Sequence, residues 1–193
     1  IALPGLTLSI DEDDYFELVM KTAIKGYYEF MEGKPISVNI TEMEQPDVPL
    51  WAIWALQQYA KETSKEECLK KYGKFIRNIL QFIEGNHHPN LELHPNGLLY
   101  TNGKDKAVTW MNSTANGRPV VPRSGYIVEF NALWYNALCF GAALAELDGK
   151  ADQQQHLLEI AEKTKQSFLD TFLNEYGYLY DYVDGNMIDW SVR

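Results

Sequence analysis

Aromatic side chains stand close to carboxylate, amide and guanidinium side chains at several places in the sequence. Trp51 closely follows Asp47, and Trp110 closely precedes Asn112. Further along the chain, the candidates are Arg123, Glu129, Asn131, Trp134 and Asp181. The flat C–H face of a pyranose stacks on an indole ring, and its hydroxyls pair with carboxylates, amides and guanidinium groups. Hydrolysis of a glycosidic bond also needs two carboxyl groups, one of them protonated. The residue types therefore fit a sugar site.

The same residues also have a purely structural interpretation. Aromatic residues at helical spacing, such as Trp54 and Tyr59, pack in protein cores more often than they bind ligands. A single carboxylate at the start of a helix, such as Asp47, is usually a helix cap. For Trp51 and Trp110, which lie beside polar loop residues, both interpretations stay open.

Helical periodicity dominates the chain and predicts the elements that must position these side chains. The predicted helices cover residues 11–31, 48–62, 63 or 64 to 85, 126–147 and 151–174. Strand-like segments are predicted in the connections, at residues 98–101, 107–111 and 178–183, with a short extended piece at 36–40.

The predicted helices are of two kinds. Those near residues 48–60 and 128–145 are apolar nearly all round, whereas the others carry one apolar stripe and a charged face. Helices that are apolar all round are buried, and striped helices pack against them. We therefore expect an all-α fold in which inner and outer helices alternate around a two-layered toroid, with short β-hairpins in the loops. The long loops before the two inner helices then open at one end, where the site is expected.

The composition of the chain limits its partners. It has 193 residues with 17 Lys and Arg against 27 Asp and Glu, a net charge of −10, which argues against a nucleic-acid partner. No apolar run approaches the ~20 residues of a membrane span. Two cysteines and no secretory signal segment predict a cytoplasmic protein. We interpret His87, His88 and His94 as loop histidines, and we expect neither a metal nor a cofactor.

Several segments form an ordered series that is recognisable as a whole. They are Asp47-Val48-Pro49-Leu50-Trp51, Thr109-Trp110-Met111-Asn112 and the segment from Pro122 to Leu138. The series resembles the amylo-α-1,6-glucosidase domain of glycogen debranching enzymes, and the resemblance covers essentially the whole chain. It implies a glucoamylase-like (α/α)6 toroid, of which residues 1–193 form about half of a single domain.

The resemblance also implies a function and a set of site residues. The parent protein would be an inverting glycoside hydrolase that releases α-1,6-linked glucose at branch points of glycogen or a limit dextrin. Its general base would lie beyond Arg193, so we expect the chain alone to be inactive. Half a toroid would also expose apolar faces of the inner helices, so we expect the chain to self-associate. The implied substrate-binding residues are Asp47, Trp51, Trp110, Arg123, Asn131, Trp134 and Asp181.

Asn112 is a departure from the family pattern, which usually has the general-acid aspartate at this position. An amide cannot donate a proton to a leaving oxygen, and loss of general-acid catalysis often costs ~10²–10⁴ in rate. Three explanations are open. Glu129 serves as the acid instead, which we favour; or the protein binds α-glucans with little hydrolysis; or Asn112 was introduced deliberately. The candidate catalytic positions are therefore Asn112 and Glu129.

Overall fold

The computed structural model describes residues 1–40, 42–103 and 105–191. Thr41, Lys104, Val192 and Arg193 lie outside the described residues. Arg193, the last residue of the segment assigned to the domain, is one of them.

Six α-helices occur in the described part of the chain. They are α1 (Leu3–Leu6), α2 (Asp13–Met31), α3 (Val48–Glu62), α4 (Lys65–Glu84), α5 (Val128–Leu147) and α6 (Ala151–Phe172). The predicted limits of α3 are confirmed, with Pro49 in the first turn, where its missing N–H costs no helical hydrogen bond. Ser64 caps α4 by accepting a hydrogen bond from the backbone N–H of Glu67 at 3.0 Å. None of the helices described is both long and apolar enough to cross a membrane.

The prediction of an all-α fold is wrong, because the structure is a mixed one with two antiparallel sheets. The larger sheet has the order β1-β2-β5-β6-β7, and β3 pairs only with β4. The strands are β1 (Glu92–Leu93), β2 (Leu99–Thr101), β3 (Thr114–Ala115), β4 (Arg118–Pro119), β5 (Gly125–Ile127), β6 (Tyr182–Asp184) and β7 (Met187–Ile188). No strand is described at residues 107–111, where one was predicted.

The physical reason for this error lies in the length and the pairing of the strands. Strands of two or three residues are too short to show an alternating pattern. The pairs β2–β5 and β5–β6 also join segments far apart in the chain. Segments that were predicted to form separate loop hairpins therefore combine into one sheet.

Helix α5 occupies the centre of the core and packs against α3, α4 and α6. Its all-round apolar sequence is matched by buried residues on several sides, including Phe130, Trp134 and Leu138. Gly141 allows α4 to approach closely, because a Cβ atom at this position would lie 2.5 Å from the Leu80 side chain. Short connections make α4 antiparallel to α3, and α6 antiparallel to α5.

The side chain of Asn131 fastens the sheet to α5. Its amide oxygen accepts from the backbone N–H of Leu99 at 2.7 Å, and its amide nitrogen donates to the carbonyls of Leu99 and Ile127 at 3.1 and 3.0 Å. The residue is fully buried. All of these hydrogen bonds are to backbone groups of β2 and β5, so Asn131 fixes the sheet against the start of the helix.

We expect the 193-residue chain to self-associate, because several large apolar side chains are solvent-exposed. On α2 these include Tyr15 (61% exposed) and Leu18 (60%), and near the C-terminus they include Trp190 (56%). Exposed large apolar side chains favour association when they adjoin one another, as residues three apart on a helix do. In sedimentation velocity, the wild-type chain should shift to larger species with rising concentration, and Tyr15→Lys with Leu18→Lys should reduce the shift. Lys21→Ala on the same helix is the control. A single monomeric species at every concentration would contradict the prediction.

Candidate active site

Arg123 lies at the centre of a buried cluster of charged side chains. Its Nη1 and Nη2 atoms donate to the two carboxylate oxygens of Glu129, the second contact at 2.6 Å. Nη2 also donates to Oδ1 of Asp181 at 2.8 Å. Arg123 is 2% exposed and Asp181 is 7% exposed. Burial opposes the charged guanidinium, but the two carboxylates outweigh it and raise the pKa of Arg123. A planar guanidinium that binds a carboxylate through two parallel hydrogen bonds fixes its direction as well as its position.

Strand pairing between β5 and β6 brings this cluster together. Arg123 precedes β5 and Asp181 precedes β6, while Glu129 lies in the first turn of α5, directly after β5. The two strands approach closely at Gly125, where a Cβ atom would lie 2.3 Å from the Val183 carbonyl oxygen. Gly125 also has a φ of +83°, which only glycine adopts readily. This glycine therefore sets the distance between the segments that carry Arg123 and Asp181.

Asp184 connects the same region to β2. Its carboxylate accepts from the Ser124 hydroxyl at 2.5 Å and from the Tyr100 hydroxyl at 3.0 Å. These bonds join β2, β6 and the segment before β5 at one edge of the cluster. The role of Tyr100 was not predicted from the sequence, since nothing local relates it to Asp184.

Asp47 lies next to the cluster, at the start of α3. It is 7% exposed, and its side chain makes no capping hydrogen bond to α3, so its interpretation as a helix cap is not supported. Burial is the main cause that raises its pKa to about 6, and the nearby charge of Glu129 adds to the rise. The nearby indole of Trp51 lowers the pKa of Asp47 and so offsets part of this rise. The influence of Glu129 on Asp47 indicates that the first turns of α3 and α5 lie near each other.

The aromatic candidates differ in exposure. Trp51 is half-buried and meets Trp54 edge to face, with ring centroids 5.6 Å apart. Trp110 is 56% exposed, so its indole can accept a stacked sugar ring. Asn112 is also exposed, on the loop just before β3.

Two of the predicted substrate-binding residues lie inside the core. Trp134 is fully buried in α5, and the amide of Asn131 is occupied by backbone groups. In a helix that is apolar all round, such as α5, sequence spacing does not distinguish residues that face the site from residues that face the interior. We leave both residues out of the site proposed below.

Comparison of the whole chain with models of known protein families identifies its family. A family model described as "Amylo-alpha-1,6-glucosidase" matches residues 1–193. The chain belongs to the amylo-alpha-1,6-glucosidase family. No curated protein and no solved structure matches it. Among the described residues of this family member, no group of three or more His, Cys, Asp and Glu side chains is arranged to hold a metal ion.

Replacement of Arg123 should destabilise this amylo-alpha-1,6-glucosidase family member strongly. Arg123→Met leaves the carboxylates of Glu129 and Asp181 without their cation, and breaking a buried ion pair costs about 3–5 kcal/mol. Urea unfolding followed by circular dichroism measures the loss. Arg118→Met, at an exposed arginine on β4, is the matched control and should change stability little. Equal effects of the two substitutions would contradict the role assigned to Arg123.

The raised pKa of Asp47 predicts that this residue lowers the free energy of unfolding as the pH rises. Between its ordinary pKa of 3.8 and about 6, the folded protein keeps a proton on Asp47 that the unfolded chain has released. The contribution of Asp47 to the free energy of unfolding therefore falls as the pH rises through this window, by up to about 3 kcal/mol. We expect Asp47→Asn to match the wild type below pH 4 and to be more stable at pH 7.

The stability of Asp47→Asn must be compared with that of the wild type at each pH, because the titration of His88 changes the stability of both proteins in the opposite direction. Burial lowers the pKa of His88 to about 4, so its contribution to stability rises with pH over a similar window. Subtracting the wild-type curve from that of Asp47→Asn removes this effect. Asp105→Asn, at an exposed loop aspartate, is the control. A stability difference for Asp47→Asn that does not change with pH would contradict the prediction.

Proposed function

We propose that the protein is an inverting glycoside hydrolase that removes α-1,6-linked glucose at branch points of glycogen or a related α-glucan. Family membership over the whole chain supports a hydrolase of glycogen debranching. The observation that carries the finer proposal is the buried cluster of Arg123, Glu129 and Asp181, with Asp47 and Trp51 beside it. It combines paired carboxyl groups with an aromatic surface, which is what a glycosidase needs.

The charged residues of the cluster are suited to orient the terminal glucose. Arg123 holds Glu129 and Asp181 in fixed directions, so the partly exposed carboxylate of Glu129 can accept from a sugar hydroxyl in a defined orientation. In this proposal, Trp51 contacts the terminal ring and Trp110 stacks on a ring further out.

Two carboxyl groups are candidates to replace the general acid that Asn112 lacks. Glu129 can donate a proton only if its pair with Arg123 opens, because both of its oxygens accept from the guanidinium. Asp47 is not held in this way, and burial raises its pKa to about 6. A carboxyl group whose pKa is raised by burial, beside one that is paired with a guanidinium, is the arrangement that separates acid and anion roles. We therefore favour Asp47 over Glu129 as the proton donor.

A second candidate function is an α-glucan-binding module with impaired catalysis. The observation that favours it is the exposed amide of Asn112 at the position of the family acid. The Arg123 cluster and the tryptophans would bind a sugar equally well whether or not a proton donor is present.

Glucose release from a branched limit dextrin by the full-length protein tests these proposals. We expect the wild type to release glucose and Asn112→Asp to change kcat little, because Asp47 already supplies the proton. A rise in kcat of about 10²–10⁴ in Asn112→Asp would instead show that the wild type lacks a general acid. Asn116→Asp changes the charge of the same loop in the turn between β3 and β4 and is the matched control. Binding of the dextrin with no release by the wild type would support the binding module and overturn the hydrolase.

The same assay separates the two candidate acids. With Asp47 as the donor, kcat falls as the pH rises above about 6, and Asp47→Asn abolishes this fall along with most activity. Glu129→Gln then acts mainly on KM. If Glu129→Gln removes the activity and Asp47→Asn keeps the pH profile, the assignment of Asp47 is wrong.

A further inference from the structure

The exposed indole of Trp110 follows directly after two buried residues. Val108 is 4% exposed and belongs to the hydrophobic core, and Thr109 is 5% exposed, whereas Trp110 is 56% exposed. Buried side chains immediately before Trp110 attach its backbone to the interior of the protein. The indole is therefore presented to solvent from an anchored backbone, and the residues that anchor it decide where the ring lies.

The side chain of Thr109 sets the direction of the chain at Trp110. Its Oγ1 accepts a hydrogen bond from the backbone N–H of Met111 at 3.1 Å. A hydrogen bond from the backbone N–H two residues on to a threonine hydroxyl closes a turn around the residue between them. The residue between them here is Trp110. Thr109 therefore fixes the turn from which the indole leaves the backbone.

Gly103 connects this segment to the Arg123 cluster. A Cβ atom at Gly103 would lie 2.2 Å from the backbone carbonyl oxygen of Arg123 and 2.5 Å from the Val108 side chain. Gly103 is itself buried. Both close approaches are possible only because glycine has no side chain. Gly103 thus lies between Arg123 and Val108, so the backbone that leads to Trp110 is held beside the backbone that carries the guanidinium.

This attachment limits how far Trp110 can lie from the cluster. Trp110 is the second residue after Val108, so the Cα atoms of the two are at most about 7 Å apart. An aromatic ring that is already in place beside fixed hydrogen-bonding groups needs little ordering when a ligand binds. An indole on an unanchored loop would have to be ordered on binding, at a cost in affinity.

We infer that Thr109 and Gly103 are positioning residues that act through Trp110 and hold its indole in place for stacking on a sugar ring. Thr109 fixes the direction of the indole, and Gly103 fixes the distance between its backbone and that of Arg123. The stacking role of Trp110 rests on the proposed function. The turn at Trp110 and the approach of Gly103 to Arg123 are independent of it.

Fluorine NMR of the full-length protein labelled with 5-fluorotryptophan tests the role of Thr109 without any ligand. The resonance of Trp110 is the one that disappears in Trp110→Phe. Thr109→Val keeps the shape of the side chain but removes the acceptor, so this resonance should shift and narrow as the indole gains freedom. Thr109→Ser keeps the acceptor and should leave the resonance unchanged. Thr164→Val, which removes a buried hydroxyl on α6, is the matched control and should also leave it unchanged.

The substitution Gly103→Ala tests the second contact in the same spectrum. Its methyl group meets a backbone oxygen, so one of the two backbones must move. Arg123 is held by its ion pairs with Glu129 and Asp181, so we expect the segment with Trp110 to move instead. The Trp110 resonance should therefore change as it does in Thr109→Val. Gly5→Ala is the control, because a Cβ atom at Gly5 meets nothing within 4 Å.

The limit-dextrin assay separates positioning from a general structural effect. Thr109→Val and Gly103→Ala should each raise KM about fivefold, the effect of roughly one lost hydrogen bond, and change kcat less. Because Thr109 acts through Trp110, adding Thr109→Val to Trp110→Ala should raise KM no further. KM increases that multiply in the double variant would overturn the inference, since Thr109 would then act independently of the indole.

Failure of the positioning role and failure of the hydrolase proposal give different results. A Trp110 resonance that is unchanged in both Thr109→Val and Gly103→Ala overturns the positioning role, whether or not the wild type releases glucose. If one of these variants does not fold, the other decides. No glucose release by the wild type overturns the hydrolase alone, and a weaker calorimetric affinity for the limit dextrin in both variants then still supports the positioning role.

Discussion

The buried guanidinium of Arg123 is the interaction on which the rest of the site depends. A charge that is almost completely removed from water is tolerated only when it is paired and hydrogen-bonded. Arg123 meets this requirement with Glu129, six residues away on α5, and with Asp181, which is 58 residues away at the start of β6. The pairing fixes the first turn of the central helix against the end of the chain. It also places two carboxylates at one end of α5.

The electrostatics of Asp47 follow from the same arrangement. Among the described residues, the hydrogen bonds of Arg123 go to Glu129 and Asp181 and none goes to Asp47. Asp47 is therefore buried next to a carboxylate without sharing its cation, and its pKa rises. The site thus holds two kinds of carboxyl group: Glu129 is paired with the guanidinium of Arg123, and Asp47 is unpaired with it and keeps its proton to higher pH because it is buried.

The sequence predicts the helices well because each has enough turns for a 3.6-residue period to be visible. The limits of α3 and the Ser64 cap of α4 are examples. Sequence periodicity does not predict the sheet, because strands such as Gly125–Ile127 are short and pair with distant segments. Part of the site was predicted from residue types, including Arg123, Glu129 and Asp181. The interior positions of Asn131 and Trp134, and the burial of His88, depend on tertiary packing that no local pattern records.

The binding-module and the hydrolase interpretations of the cluster differ in whether one of its carboxyl groups holds a proton that it can donate. The ion pairs of Arg123 with Glu129 and Asp181 are compatible with both a hydrolase and a binding module, so their geometry does not separate the two. The exposed amide at Asn112 removes the proton donor from the loop. In the function proposed above, Asp47 at the start of α3 would supply one independently of that loop, since burial raises its pKa. A sugar ring that covers the cluster would exclude the remaining water, and desolvation raises the pKa of a carboxyl group. With Asp47 as the donor, binding would therefore raise the fraction of Asp47 that carries a proton near neutral pH, so that a proton is available to the leaving oxygen.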